Sequence, residues 1–316
     1  MPFKRFFRIP LSALFFIAGV VCSQAQAHTV ALTFDDLPVA GENDPAQAQS
    51  ITSTILNALD RRHAPAIGFV IGQRVEELGK EQGKHLLEQW IRHGHPLGNH
   101  TFSHPDLNKL TAEQFGQDVI EGEKILSRVQ AKNGDNSRYL RFPYNHTGNT
   151  QAKHDAVAAF LANRGYRVAT CTIDNEDFLF NRAYLQMLAG KDEASGRRLR
   201  AEYLAYTSTE IDYYSSLHKQ VFGREIPQVM LLHVNRLNAD VIDELLAIFE
   251  QKQYRFVTLD TAQSDPAYAT PDTLAIEGGM MWGYRWAKER GVKVDGSLET
   301  EPAAWISQYR RDPPKP

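Results

Sequence analysis

The chain has very little cysteine. Only Cys22 and Cys171 occur among its 316 residues, so a disulfide framework is excluded and stability has to come from a buried core. The chain is long enough to build a large one. Beyond the first 27 residues it has no long apolar run, which leaves no material for a multi-span membrane protein. No glycine-rich phosphate loop follows any apolar stretch, so the common nucleotide-binding signatures are missing. There is no basic cluster, and the net charge is −3, so the chain has no general attraction to nucleic acid or anionic lipid. Internal repeats and low-complexity tracts are absent, and nothing specifies an oligomeric state.

What is present begins at the N-terminus. Lys4, Arg5 and Arg8 precede the apolar stretch "IPLSALFFIAGVV", and small residues lead to Ala27 in "AQA". This reads as a secretory signal peptide spanning residues 1–27. Cleavage would export the remainder to the periplasm or the exterior, with no stable membrane insertion. It would also remove Cys22 and leave Cys171 without a partner.

From residue 28 onward, apolar runs alternate with amphipathic stretches. "TVALTF" (29–34) and "AIGFVIG" (66–72) read as buried strands. So do "RYLRFP" (138–143), "YRVATCTI" (166–173), "QVMLLHV" (228–234) and "RFVTL" (255–259). Helices are expected at 46–62, 83–94, 111–132, 153–165 and 239–252. Thr111 and Gln114 form a capping box at the start of the third. Such alternation predicts an α/β fold, a mostly parallel sheet with enough units to close a distorted (β/α) barrel, against an open doubly wound sheet as the rival. Two segments break the rhythm. Residues 179–226 read as a helical insertion before the last site-bearing strand, and 264–316 as a C-terminal extension on a domain spanning 28–263. The insertion carries Tyr184, Tyr203, Tyr206, Tyr213 and Tyr214. These rings either wall a sugar-binding groove or dock the insertion's helices.

Chemistry-bearing residues collect where the expected strands end. Asp35 and Asp36 follow "VALTF", and Arg141 lies in "LRFPY". Asp174 and Asp177 follow "VATCTI", and His233 ends "MLLH". His100 and His104 sit four residues apart in "NHTFSH", a spacing that on a helix puts both imidazoles on one face. Taken singly, each has an ordinary structural reading as a turn, a cap or a hydrogen-bonded core histidine. Recurrence at the C-terminal ends of successive strands, where barrel active sites are built, argues for a site.

In order, "TFDD" (33–36), "HTFSH" (100–104), "RFPY" (141–144), "DNEDF" (174–178) and "LLH" (231–233) resemble the five motifs of the polysaccharide deacetylases, carbohydrate esterase family 4, the NodB-homology domain. The resemblance covers about residues 28–260. It implies a distorted barrel of the NodB type and an exported, metal-dependent hydrolase that removes N-acetyl groups from an N-acetylglucosamine-containing glycan. Asp36, His100 and His104 would hold a divalent metal, zinc before cobalt, nickel or manganese. Asp35 would be the base and His233 the acid. Arg141 would hold Asp35, Asp177 or Asp174 would orient His233, and the Tyr144 N–H would help stabilise an oxyanion. Phe178 stands where the family usually has tryptophan and Asn145 where it usually has glycine. Val234 and Asn235 follow His233 in place of an acidic residue. These departures bear on the substrate. Activity on an O-acetylated glycan or another amide, or glycan binding without catalysis, are the alternatives.

Overall fold

The computed structural model describes Met1, residues 28–133 and residues 137–310, so the expected signal peptide lies outside the described residues. In chain order the first elements are β1 (Thr29–Leu37), α1 (Pro45–Arg61), β2 (Ala66–Val70), α2 (Gly72–Glu77), α3 (Lys80–Arg92) and β3 (Leu97–Asn99). Then come α4 (Ala112–Asn133), β4 (Tyr139–Leu140), α5 (Gln151–Asn163) and β5 (Arg167–Val168). The last are α6 (Asp177–Ala189), α7 (Glu193–Phe222), β6 (Gln228–His233), α8 (Arg236–Gln251), β7 (Arg255–Phe256), α9 (Leu259–Gln263), α10 (Trp282–Glu289) and α11 (Ala304–Ser307).

Helix starts follow local chemistry. Asp44 accepts from the N–H groups of Ala46 and Gln47, ahead of Pro45, at the head of α1. Thr150 caps α5 and Asn235 caps α8. The Thr111–Gln114 box forms in both directions, at 2.9 and 3.2 Å.

All strand pairs are parallel, in the order β5-β4-β3-β2-β1-β6. Leu32 of β1 pairs with Ala66 on one flank and Met230 on the other. β7 pairs only with Thr29 and Val30, ahead of the point where β2 begins. Past β5 the chain returns to β6 at a single bridge, Ile173 to Met230. The architecture is therefore a distorted (β/α) barrel, open along most of the seam between β5 and β6.

Three expected strands are shorter than their apolar runs. Residues 138–143, 166–173 and 255–259 each contain only a two-residue strand, the second run adding the isolated bridge at Ile173. The first run ends early because Pro143 opens a tight turn and has no N–H for a ladder. Conversely, β3 was not evident from composition. Its Gly98 lies against the Phe69 ring, where a Cβ would come within 2.3 Å, so this strand is selected for closeness rather than for hydrophobicity.

The insertion is two helices, α6 and α7, and its tyrosines serve to dock it. Tyr184, Tyr203 and Tyr214 are buried. Tyr203 donates to Asn238 Oδ1 at 2.6 Å, and Tyr184 donates to Asp240 at 2.7 Å. Tyr206 donates to the Thr300 carbonyl, and Tyr213 and Tyr284 share a 2.5 Å hydrogen bond. A phenol that has found an internal partner is not offered to a sugar. The C-terminal extension closes over the same helices. Trp286 of α10 is 1% exposed and meets His218, Phe222 and Tyr268 edge-on at 5.3–5.9 Å. Among the described residues, no helix is long and apolar enough to cross a membrane.

Replacing Trp286 with alanine should cost ~3–5 kcal/mol, the usual range for a large buried aromatic, and lower the urea midpoint accordingly. A midpoint within error of the parent would mean that α10 does not share the main core.

Candidate active site

The site starts from an irregularity in β1. Phe34 pairs with Gly68, but the next pairing to β2 is Leu37 with Val70. Asp35 and Asp36 fall between these points, and Asp36 adopts φ 66°. In a regular strand successive side chains point to opposite faces. Here the break and the left-handed residue let two adjacent carboxylates reach one site. On the other flank Asp35 remains in register with His233 of β6.

His100 and His104 do not share a helix, contrary to the reading from their spacing. They lie on the loop after β3, with Thr101 and His104 both at positive φ. Short polar bonds fix this loop. Asn99 Oδ1 accepts from Thr101 N–H, and Asp118 accepts from the N–H groups of Phe102 and Ser103 and from the Ser103 hydroxyl. Gly122 of α4 lets the loop approach, since a Cβ there would lie 2.7 Å from Asn99 Oδ1. His100 Nδ1 donates to the Arg141 carbonyl at 2.8 Å. That bond fixes the tautomer and leaves the Nε2 lone pair free.

Nε2 of His100 is 3.6 Å and Nε2 of His104 3.7 Å from Asp36 Oδ1. That oxygen is buried without a hydrogen-bond donor. The three ligand atoms lie within 4.8 Å of one another. One carboxylate and two imidazoles, with an orphaned oxygen between them, fit a divalent cation with open coordination positions. Burial pushes both imidazoles down to about 4, so they are neutral, as ligation requires. Burial alone would raise Asp36, but His233, His104 and His100 outweigh it and its carboxyl lies below the usual range. Asp35 goes the other way. Burial raises it, with Arg141 and His233 opposing.

On the opposite side, Asp177 rather than Asp174 holds His233. Asp177 Oδ1 accepts from His233 Nδ1 at 2.5 Å, and Oδ2 accepts from the His233 N–H at 2.7 Å. Asn235 and Asn238 also donate to Oδ2. Burial disfavours a charged His233, but Asp177 prevails and lifts its pKa to about 10. Asp174 instead accepts from the Glu176 N–H, and burial raises it to about 6. Arg141, fully buried over the Phe69 ring, donates to Thr33 Oγ1 at 2.8 Å. Its Nε stands 3.8 Å from Asp35 Oδ2, an ion pair without a hydrogen bond. Thr33 and Asn238 had no distinguishing signal in the sequence, because only the fold brings them to Arg141 and Asp177.

Two exposed rings flank the centre. Tyr144 is 56% exposed and meets His104 edge-on at 4.6 Å. Phe178 is 47% exposed and faces His233 at 6.4 Å. Beside His104 and Tyr144 opens a groove of about 260 Å³, with Arg74, Gln73 and Ser103 among its lining residues.

The family model described as polysaccharide deacetylase matches residues 23–169. Over these residues, just under half of its length, the chain is similar to polysaccharide deacetylases. A peptidoglycan-N-acetylglucosamine deacetylase of Bacillus cereus is 27% identical over 149 residues, 47% of this chain and 46% of that protein. The chain thus spans less than half the length of this relative. A chitooligosaccharide deacetylase of Sinorhizobium fredii is 27% identical over 168 residues, 53% of this chain and 68% of that protein. The solved structure of the peptidoglycan deacetylase PdaC from Bacillus subtilis superposes with a TM-score of 0.50 at 21% identity, over 76% of this chain and 91% of that one. It shares the fold. The residues matched by the family model include the aspartate pair, both loop histidines and Arg141, and stop short of Asp177 and His233.

In the metal-free protein, Asp177→Asn should drop the His233 pKa from about 10 toward its ordinary value of 6.5, read by NMR titration of the ring. Because the folded pKa is raised, the stability that this pair contributes is fully present below pH 6.5 and fades as the pH rises through 10. The stability gap between parent and variant should narrow over that interval. A gap that widened with pH would contradict the assignment.

Proposed function

We propose that this protein is an exported, metal-dependent hydrolase that removes N-acetyl groups from a glycan containing N-acetylglucosamine. The observation that carries this reading is the Asp36–His100–His104 set, facing Asp35 on one side and the Asp177-held His233 on the other. A divalent cation held by Asp36, His100 and His104, zinc being the simplest fit to this donor set, would polarise the acetyl carbonyl and ease deprotonation of a water.

The chain's own residues do the rest. Asp35, raised by burial, has the basicity to take the water's proton. The buried Arg141 charge keeps Asp35 from rising further. His233 carries its proton on the side opposite Asp177 and delivers it to the leaving nitrogen, which cannot depart as an amide anion. A group with so tightly held a proton suits an amine leaving group, which favours the N-acetyl over the O-acetyl reading. The N–H of Tyr144 takes no part in the two backbone bonds of its turn, Asn145 to Phe142 and His146 to Pro143. It would serve the developing oxyanion. The Tyr144 and Phe178 rings offer flat faces to the sugars on either side. The presence of both Asp35 and His233 argues against a purely glycan-binding role, and the signal-peptide reading of residues 1–27 supports a substrate in the cell envelope or outside it.

Chelation should abolish acetate release from N-acetylglucosamine oligomers while the circular dichroism spectrum persists, because the large core does not depend on the metal. Retained activity after complete metal removal would refute the metal requirement. Asp35→Asn should keep the metal and lose ~10²–10⁴-fold in kcat, whereas Asp36→Asn or His104→Ala should lose the metal itself. Equal metal loss in all three would reverse the roles of the two aspartates. Faster release from acetylated xylan than from the N-acetylated oligomers would favour the O-acetyl reading.

A further inference from the structure

The loop that presents Tyr144 is held in an unfavourable conformation. Tyr144 and Asn145 are consecutive non-glycine residues in the left-handed region, at φ 58° and 54°. Such residues are strained and persist only where their surroundings enforce the conformation. The turn's two backbone hydrogen bonds are local. Besides Asp106 and Asn108 on His146 and Cys171 on Asn145, contacts reach it from the C-terminal extension, beyond residues 23–169.

That extension crosses behind the loop. Ile276 N–H donates to the Gly148 carbonyl at 3.1 Å. Asn108 donates to the Glu277 carbonyl at 2.6 Å. Met281 Sδ lies 3.9 Å from Cys171 Sγ, which in turn lies 3.4 Å from Asn145 Oδ1. Further on, Arg285 donates to Thr147 Oγ1 at 2.7 Å while Asp272 holds its guanidinium. At the centre is Gly279. A Cβ there would come within 2.0 Å of the Tyr144 carbonyl oxygen, 3.2 Å of its carbonyl carbon and 3.4 Å of Asn145 Cβ. The adjacent Gly278 would meet nothing within 4 Å. The chain can press on the Tyr144–Asn145 peptide only because residue 279 has no side chain.

We infer that Gly279 is a positioning residue: the C-terminal extension braces the left-handed Tyr144–Asn145 turn through it and so aims the Tyr144 N–H at the reacting acetyl group. The inference rests on the proposed role of that N–H. An alanine at 279 would push the Tyr144 carbonyl back by about 1 Å to reach 3.0 Å contact, and any part of that push taken up at the Tyr144 Cα would shift the N–H of the preceding peptide. A misplacement of about that size can cost ~10²-fold in rate.

The test compares Gly279→Ala with Gly278→Ala as the matched control. Gly279→Ala should lose about 10²-fold in kcat, with KM and bound metal near the parent's. Gly278→Ala should match the parent. In the metal-free protein, amide shifts of residues 142–148 should move in Gly279→Ala while those of His100 and His104 stay. Adding Asn145→Gly, which removes the cost of the left-handed conformation, should restore part of the lost kcat. If Gly279→Ala fails to fold, Asn108→Ala loosens the same brace from its edge and should lower kcat severalfold without changing KM. A parent-like kcat in a folded Gly279→Ala, or in Asn108→Ala where that variant has to decide, overturns the inference. So does a loss confined to KM, or amide shifts restricted to 276–282. Parent Asp35→Asn and chelation results judge the deacetylase reading separately, because neither depends on residue 279.

Discussion

Strand β1 is hydrogen-bonded along both flanks, and the site exists because the two flanks behave differently at its end. Toward β6 the ladder runs unbroken to Asp35 and His233, which sets the proposed base and the proposed acid side by side at the spacing of neighbouring strands. Toward β2 the ladder skips from Phe34 to Leu37, and the skip frees Asp36 to turn toward the histidine loop. A fully regular strand would send one of the two carboxylates to the far face. A fully disrupted one would lose the register that carries His233.

The same residue type takes opposite protonation states across this strand, and the partner decides which. His100 gives its Nδ1 proton to a neutral carbonyl, so burial dominates and the ring stays uncharged. His233 gives its Nδ1 proton to a buried carboxylate that three other donors also engage, so charge is favoured in spite of burial. The pattern is that of an acid–base site, in which neighbouring titratable groups are pushed apart by their environments.

Much of this was legible in the sequence. Buried strands announced themselves as apolar runs, and helices by spacing and caps, because both signals are local. The residues at strand ends were recognisable by type and order. What stayed hidden depended on distant closeness. β3 is three residues long and defined by Gly98 fitting against Phe69. The His100–His104 pair obeys a helical spacing but sits on a loop whose geometry comes from Asp118 and Gly122. The choice between Asp174 and Asp177 turned on where α6 begins. Asp177 starts that helix, and Asp174 is spent on the turn before it. The insertion's tyrosines read equally well as a sugar wall or as docking groups until the fold gave their hydroxyls internal partners.

The brace on the Tyr144 turn also imposes an order in time. A ribosome releases the aspartate pair, the loop histidines, Arg141, Asp177 and His233 in that order, and the segment 272–285 only after all of them. Until that last stretch has emerged and docked, the turn lacks the contacts that hold it left-handed. A nascent or truncated chain can therefore own the complete set of titratable groups and still lack the finished geometry of the site. The last part of the site to be secured is thus a backbone turn, not a side chain.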